Sequence, residues 1–211
     1  MAYETLIVER MEGITKITLN RPHRLNAVTF QLLAELKQVC DELRQDAETR
    51  FVIITGAGRA FSAGYDLIEG AKSAEQQAPA KGADPYLTTR MSQVFAHDLL
   101  RGLENLEQVT VAAINGHALG GGLSLAMTCD FRIAAEGATL GVPEANVGAF
   151  FTWGCTARLA RLIGAAKTKE LIMTCDAISA KEAMTIGLVN KVVPAVDLMN
   201  STYQLINKIA G

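Results

Sequence analysis

The 211-residue sequence predicts an α/β fold with a layered core, and three observations lead to that prediction. Short, uniformly apolar segments such as "FVIIT" and "VTVAAIN" are typical of strands buried on both faces of a sheet. Amphipathic segments with helical spacing alternate with these strands. No linker is evident before about residue 195, so residues 1–195 are predicted to form one core domain and residues 196–211 to begin a C-terminal helical region.

The first elements are a strand pair and a helix. The segments "YETLIVER" and "ITKITL", separated by "MEG", predict two strands joined by a tight turn. A helix is predicted after Thr29, which can cap it, because apolar residues recur at helical spacing through "FQLLAELKQVCDELRQ". The buried strand "FVIIT" follows. Residues 70–85 are small, polar and punctuated by Pro and Gly, and they predict a mobile surface loop.

The second half continues the alternation of strands and helices. A helix is predicted from about Tyr86 to Glu107, followed by the strand "VTVAAIN" and by a helix that opens at about Gly121. "FRIAA" and "ATLGV" predict short strands, and helices fill most of the remainder. Two segments, "FVIITGAGRAFSAGYDL" and "VTVAAINGHALGGGLSL", share one plan of strand, Gly-rich loop and helix start. Such turns could place two sets of free N–H donors close together.

The composition is that of an ordinary globular protein. Hydrophobic residues make up 49% of the chain, charged residues 20%, and the net charge is −2. These values argue against a disordered chain or a nucleic-acid-binding protein. The N-terminus is charged where a signal peptide would be apolar, and no apolar stretch reaches the ~20 residues that cross a bilayer. We therefore expect a cytoplasmic protein with no nucleic-acid or membrane partner.

No metal site or disulfide framework is predicted. The cysteines are far apart and form no C-x-x-C pair, so reduced, buried thiols are expected. The histidines are scattered, and none is given a metal-binding or catalytic role. The cysteines are Cys40, Cys129, Cys155 and Cys175, and the histidines are His23, His97 and His117.

The Gly-rich turns do not match the familiar glycine motifs. A dinucleotide fingerprint needs a third glycine where Phe61 stands, and a P-loop needs a glycine where Ala166 stands. A nucleophile elbow around Ser124 would need a glycine in place of Ala126 and a strand leading directly into the serine. The remaining structural explanation is that these glycines only allow a helix to pack tightly against a neighbour.

Five motifs occur in order along the chain: "LNRPHRLNA", "GRAFSAGYDL", "INGHALGGGLSLAMTCD", "LGVPEANVG" and "DAISAKEAMTIGLVNKVVP". With them the chain resembles the crotonase superfamily, the enoyl-CoA hydratase/isomerase family, over essentially its whole length. The resemblance implies a crotonase-like ββα spiral, with layered sheets surrounded by helices. Members of the family usually extend further, so the C-terminal helical region is expected to be short or truncated. The resemblance also implies a homotrimer or hexamer.

The resemblance implies an oxyanion hole made of the Tyr65 and Gly121 backbone N–H groups. Chemistry beside a thioester passes through an enolate-like state, and a donor fixed where that charge develops is worth about 2.7–4 kcal/mol. Gly121 is also predicted at a helix start, where free N–H groups and the helix dipole favour an anion. No cofactor is expected, because the CoA thioester itself is the substrate.

Glu144 is the candidate proton carrier, because it matches the second catalytic glutamate of the family and burial would raise its pKa toward neutrality. Hydratases of the family use two glutamates, and the first is replaced here by Ser124, whose hydroxyl is no acid or base near pH 7. Isomerase-type chemistry with a single glutamate therefore fits better than hydration by two acids. A hydratase that works with one acid, a decarboxylase, a thioester hydrolase and a catalytically silent acyl-CoA-binding homologue remain alternatives.

The resemblance also implies contacts with the CoA portion and the acyl group. The CoA contacts are expected at Arg24, Leu25, Ala63, Asp66 and Leu67. Of these, Arg24 offers a fixed cation to the phosphates. Three aromatic residues in "AFFTWGCTARL" replace the Pro- and Gly-rich turn that is usual in the family, and they either pack in the core or line the acyl pocket. They are Phe150, Phe151 and Trp153.

Overall fold

The structure is a computed structural model that describes residues 3–69 and 85–211. Two sheets form its centre, and helices pack around them. The strands are β1 (Leu6–Met11), β2 (Ile14–Leu19), β3 (Phe51–Gly56), β4 (Ala60–Ser62), β5 (Val109–Ile114), β6 (His117–Leu119), β7 (Phe131–Ala135), β8 (Thr139–Gly141), β9 (Ile178–Ser179) and β10 (Lys191–Val193). The helices are α1 (Phe30–Leu43), α2 (Pro85–Glu104), α3 (Gly121–Met127), α4 (Cys155–Thr174), α5 (Ala180–Thr185) and α6 (Leu198–Ala210).

The larger sheet has six strands in the order β1-β2-β3-β5-β7-β10. β1 and β2 form the predicted antiparallel hairpin, with Leu6 opposite Leu19, and the remaining neighbours pair in parallel. β3 and β5 lie in the middle of the sheet and are almost entirely buried, as their uniformly apolar sequences predict. This mixed architecture confirms the predicted α/β class.

Helix α1 begins where the sequence indicates. The Thr29 hydroxyl accepts a hydrogen bond of 3.1 Å from the Leu32 N–H, and one apolar face of the helix is buried. Helix α2 ends at Glu104, earlier than the predicted Glu107. The Gln108 side chain donates to the Leu43 carbonyl at the end of α1, so the chain must already have left α2 there.

The second sheet agrees with the layered sheets that the family resemblance implies, but the residues themselves indicated only its strand β8, in "ATLGV". It contains four short strands in the order β4-β6-β8-β9, and β4 and β6 lie in segments that the sequence indicated as Gly-rich loops. Each of these two strands has three residues, too few for an alternating pattern to be visible. Their pairing partners are distant in the chain, so only the tertiary fold creates them. The loop predicted at residues 70–85 lies, except for residue 85, outside the described residues.

Helix α6 packs on the larger sheet. Its Leu198 and Ile206 side chains are buried in a cluster with Phe51 and Ile53 of β3. The proposed boundary between residues 1–195 and a C-terminal region stays a prediction. No helix in residues 3–69 or 85–211 is long and apolar enough to cross a membrane. Among these same residues, no cluster of His, Cys, Asp and Glu could hold a metal ion.

The cysteines are all unpaired. Cys40, Cys129 and Cys155 are buried, as expected, and Cys175 is half-buried. Burial raises the pKa of the Cys40 and Cys129 thiols to about 12, which keeps both in the unreactive protonated form at neutral pH.

Asn26 fastens the turn before α1 to the segment that leads into β4. Its backbone is left-handed, with φ 54°, and the residue is fully buried. The side-chain amide donates to the Ala57 and Ala60 carbonyls at 2.9 and 2.7 Å, and its oxygen accepts from the Arg21 N–H at 2.8 Å. Asn26 therefore holds together two loops that lie next to the candidate site.

We predict that Asn26→Ala lowers the free energy of unfolding by about 1–3 kcal/mol, because it leaves the Ala57 carbonyl and the Arg21 N–H without their partner. The Ala60 carbonyl keeps a hydrogen bond of 3.2 Å from the Asn115 amide. Urea unfolding monitored by circular dichroism measures this loss. Asn105→Ala, at an exposed position, serves as the control and should change stability little. A loss of similar size in both variants would contradict this role of Asn26.

Candidate active site

Three parallel strands of the second sheet end at one edge. β4 pairs with β6, with Ser62 opposite Ala118, and β6 pairs with β8, with Leu119 opposite Gly141. Because parallel strands present their carboxyl ends at the same edge, the segments that follow them start side by side. A hydrogen bond of 2.9 Å from the Gly120 N–H to the Gly141 carbonyl ties the second segment to the third.

The segments that follow β4 and β6 bring two backbone nitrogens close together. A methyl carbon in place of a Gly64 hydrogen would lie 3.4 Å from the Gly121 nitrogen, and one on Gly121 would lie 3.5 Å from the Tyr65 nitrogen. Neither the Tyr65 N–H nor the Gly121 N–H has a hydrogen-bond acceptor within residues 3–69 and 85–211. Gly121 is the first residue of α3, where an N–H has no partner inside the helix.

Gly120 and Gly122 lie so close to other parts of the chain that neither position has room for a side chain. Gly120 has φ 49°, and a side chain there would collide with the Glu144 carboxylate. A Cβ atom on Gly122 would lie 2.5 Å from the Ser62 carbonyl oxygen, so α3 could not start against β4. The absence of a side chain at Gly122 therefore allows tight packing of α3 against β4, which is the simpler explanation of the Gly120–Gly122 triplet. The absence of a side chain at Gly120 instead leaves room for the Glu144 carboxylate.

Glu144 follows β8 and opens a short 3-10 helix, Glu144–Val147. Its side chain is half-buried, and its Oε2 atom is fully buried with no hydrogen-bond partner among the described residues. Burial raises the pKa of Glu144, and its own backbone N–H opposes the rise only in part. The raised pKa and the unpaired oxygen both favour proton uptake by this carboxylate, relative to an exposed glutamate.

Ser124 lies on the first turn of α3 and is almost fully buried. Its hydroxyl donates to the Gly120 carbonyl at 3.0 Å and also contacts the Cys155 thiol. Among the described residues, its contacts include no histidine or carboxylate that could activate it as a nucleophile. The environment of Ser124 therefore matches the sequence argument against a nucleophile elbow.

A cavity of about 240 Å³ opens at this edge of the sheet. Its walls are mostly apolar, and Glu144 is the one carboxylate among the described residues that line it. Of the three aromatic residues singled out in the sequence, Phe151 is buried, Trp153 is half-buried and Phe150 is 86% exposed, and all three line the cavity. Phe151 therefore both packs in the core and lines the cavity.

The predicted CoA-contacting residues separate into two groups. Ala63 and Leu67 line the cavity beside Tyr65. Leu25, Arg24 and Asp66 are not among the residues that line the cavity. The Leu25 carbonyl accepts from the Ala63 N–H at 2.9 Å, which joins the early turn to the segment after β4.

Asp66 is buried and holds two guanidinium groups. Arg21 approaches it at 3.1 Å and Arg24 at 3.2 Å. Burial alone would raise the pKa of Asp66, but the Glu69 N–H and the two arginines hold it below its ordinary value. The Arg24 charge is thus already shared with a carboxylate, while its side chain stays 38% exposed.

Several cavity residues were not singled out in the sequence. Phe30, the first residue of α1, is 58% exposed, and Val147 is 57% exposed, an unusual placement for large apolar side chains. Gln93 and Thr152 also line the cavity and share a hydrogen bond of 2.7 Å. The sequence did contain one indication that Phe30 is unusual: it is a large apolar residue directly after the helix cap Thr29. The positions of Gln93 and Val147 depend on the tertiary fold alone.

The sequence profile described as enoyl-CoA hydratase/isomerase matches residues 9–211. This chain belongs to that family. Among curated relatives, the short-chain-enoyl-CoA hydratase of Clostridium acetobutylicum is 40% identical, with 100% of this chain and 77% of the relative covered. The crotonyl-CoA hydratase of Syntrophomonas wolfei is 39% identical, with 100% of this chain and 76% of the relative covered.

Solved structures of the enoyl-CoA hydratase/isomerase family share the fold. An enoyl-CoA hydratase from Bacillus anthracis superposes with a TM-score of 0.88 at 40% identity, covering 98% of this chain and 77% of the other. A monofunctional enoyl-CoA isomerase from M. smegmatis superposes with a TM-score of 0.79 at 31% identity, covering 98% and 85%. The predicted crotonase fold and the membership in an enzyme family are confirmed.

We predict that Glu144→Gln changes the pH dependence of stability. The folded pKa of Glu144 is raised, so the unfolded chain ionises first and wild-type stability falls as pH rises above the ordinary glutamate pKa of about 4.3. The glutamine variant lacks this loss. Its stability relative to the wild type should therefore increase from acid to neutral pH, as thermal unfolding at several pH values will measure.

Glu136→Gln supplies the same chemical change at an exposed position. The pH-dependent gain of Glu144→Gln over the wild type should exceed that of this control. A stability difference between wild type and Glu144→Gln that stays constant, or shrinks, as pH rises would show that Glu144 is not destabilised by burial.

Proposed function

We propose that the protein is an acyl-CoA enzyme that shifts the double bond of an enoyl thioester, using Glu144 as its single proton carrier. In this proposal the Tyr65 and Gly121 N–H groups bind the thioester carbonyl oxygen. The observation that carries the proposal lies at one sheet edge. There, within residues 3–69 and 85–211, a buried carboxylate oxygen has no hydrogen-bond partner and two N–H groups have no acceptor.

The proposed reaction starts with a 3-enoyl-CoA. The Glu144 carboxylate removes a proton from the carbon next to the carbonyl, and the electron pair moves toward the carbonyl oxygen to give a dienolate. The two N–H groups meet that negative charge without reorganising. The Glu144 carboxylic acid then returns the same proton to the carbon at the far end of the dienolate. The product is the 2-enoyl-CoA, and no other reactant is consumed.

The electrostatics of Glu144 suit this role. A base that must first accept and then donate a proton works best with a pKa near the working pH. Burial moves the pKa of Glu144 upward from the range of an exposed glutamate, in the required direction. The cavity walls around the carboxylate are also mostly apolar, which disfavours its charged form.

Hydration of a 2-enoyl-CoA is the second candidate, and the similarity to named hydratases favours it. A hydratase must orient a water molecule as well as deliver a proton. Ser124 occupies the position of the first catalytic glutamate of the family, and its hydroxyl hydrogen is directed to the Gly120 carbonyl. A single carboxylate is sufficient for the proton shift, so we favour the isomerase reaction.

Other parts of the sequence-based hypothesis stay predictions. These are the contacts of the CoA portion with Arg24, Leu25, Ala63, Asp66 and Leu67, the cytoplasmic location, and the homotrimer or hexamer. The same holds for the expectation that no cofactor beyond the CoA thioester is needed. The decarboxylase, thioester hydrolase and silent-homologue alternatives each predict that 3-enoyl-CoA is not converted to 2-enoyl-CoA.

We predict that Glu144→Gln lowers the rate of conversion of 3-enoyl-CoA to 2-enoyl-CoA by about 10²–10⁴-fold, because an amide cannot carry the proton. Ser124→Ala should retain the isomerase reaction, since a hydroxyl bonded to a backbone carbonyl carries no proton in this mechanism. Liquid chromatography of both enoyl-CoA isomers and of the 3-hydroxyacyl product measures each reaction. Hydration faster than isomerisation, or isomerisation that survives Glu144→Gln, would contradict the assignment.

We predict that the thioester carbonyl of a bound acyl-CoA absorbs at lower wavenumber than in water, because two donors polarise it. Isotope-edited infrared difference spectra with a ¹³C=O label measure the shift. Gly121→Ala should reduce it, since the new methyl carbon would lie 2.9 Å from the Trp153 ring and would disturb the donor. Gly137→Ala is the matched control, because nothing lies within 4 Å of a Cβ atom there. Equal shifts in both variants would exclude Gly121 as a donor.

A further inference from the structure

The Trp153 side chain lies directly beside the two proposed donors. A methyl carbon on Gly121 would be 2.9 Å from Cζ3 and 3.2 Å from Cη2 of the indole. The Trp153 and Tyr65 rings meet edge to face, with centroids 6.4 Å apart and planes at 80°. An acyl group whose carbonyl oxygen sits on the Tyr65 and Gly121 nitrogens therefore has the six-membered ring of the indole as a neighbouring wall.

The Trp153 backbone adopts a conformation that needs support. Its φ is 57°, in the left-handed region that is unusual for a bulky side chain, and Gly154 follows with φ 73°. The Trp153 carbonyl accepts a hydrogen bond of 2.9 Å from Nη1 of Arg158. Strained residues of this kind persist where surrounding contacts determine their geometry, and they are common at ligand-binding sites.

The Arg158 guanidinium is itself held by an ion pair. Its side chain is 5% exposed, and Nε and Nη2 donate to Glu104 Oε2 at 3.1 and 2.7 Å. Hydrogen bonding by Arg158 lowers the pKa of Glu104, so the pair stays charged near neutral pH. The planar guanidinium thus bridges the end of α2 and the Trp153 carbonyl in one fixed geometry.

We propose that Trp153 limits the size of the acyl group that the cavity accepts, and that the Arg158–Glu104 pair is the positioning device that holds it. The inference rests on the proposed function, because it assumes a thioester carbonyl at Tyr65 and Gly121. Phe151 and Leu33, which line the same cavity as the indole, are also apolar. The acyl class that fits is a short, straight hydrocarbon chain, since the indole fills the space into which a longer chain would extend.

Binding measurements test the role of Trp153 without requiring turnover. Isothermal titration calorimetry with butanoyl-, octanoyl- and dodecanoyl-CoA gives the ratio of affinities for long and short chains. In the wild type butanoyl-CoA should bind best. Trp153→Ala should raise the dodecanoyl-to-butanoyl affinity ratio by about tenfold or more, and Trp153→Phe by less, because several methylene groups gain room. A ratio unchanged in Trp153→Ala would overturn the proposal.

Arg161 provides a matched control for Arg158. It lies on the same helix and approaches the same glutamate, at 3.4 Å, but its side chain is 70% exposed. Arg158→Gln should change the affinity ratio in the same direction as Trp153→Ala, and the double variant should add little, because both changes act on one indole. Arg161→Gln should leave the ratio unchanged. If Arg158→Gln lowers the melting temperature but keeps the wild-type ratio, the positioning role is wrong.

Trp153 is the single tryptophan of the protein, so intrinsic fluorescence reports on it directly. Butanoyl-CoA should change the emission of the wild type, and Arg158→Gln should shift the emission of the free protein to longer wavelength. If Arg158→Gln does not fold, Glu104→Gln replaces it in both measurements. Absence of binding by all three thioesters would refute the proposed function, whereas binding without any change in the Trp153→Ala ratio would refute only this inference.

Discussion

The candidate site depends on the parallel pairing of three short strands, β4, β6 and β8. Each strand delivers one residue of the site within three positions of its carboxyl end: Tyr65, Gly121 and Glu144. The pairing brings together segments that are far apart in the sequence. Its register fixes where each segment begins at the edge of the sheet. Ligand sites at the carboxyl ends of parallel strands follow the same geometric rule in other α/β proteins.

The same arrangement is unfavourable for folding. Two N–H groups have no acceptor among the described residues, the Glu144 Oε2 atom is buried without a partner, and Trp153 has a left-handed backbone. An unsatisfied buried polar group costs about 1–3 kcal/mol. The large apolar cluster formed by the helices and both sheets offsets these costs. The groups that folding disfavours are those that the proposed proton transfer requires, a common compromise at active sites.

The aromatic turn before α4 is part of the cavity wall, since Phe150, Phe151 and Trp153 all line it. Arg158 links it to α2 through Glu104, so a helix outside the three strands also contributes to the shape of the cavity. Ser124 leaves Glu144 as the one carboxylate among the described lining residues. Together these residues place one carboxylate and one indole in the same mostly apolar cavity.

The sequence by itself determined the long elements and the chemistry of the motifs. The hairpin, α1, β3 and β5 were predicted correctly, because each has enough residues to show its periodicity or its uniform burial. The motifs likewise identified the family and the segments around Gly64, Gly121 and Glu144. Only the tertiary structure decided the second sheet and the contacts of Trp153 with Gly121 and Arg158. Of the four short strands, only β8 was indicated by the sequence, because two or three residues show little periodicity and their stability comes from partners distant in the chain.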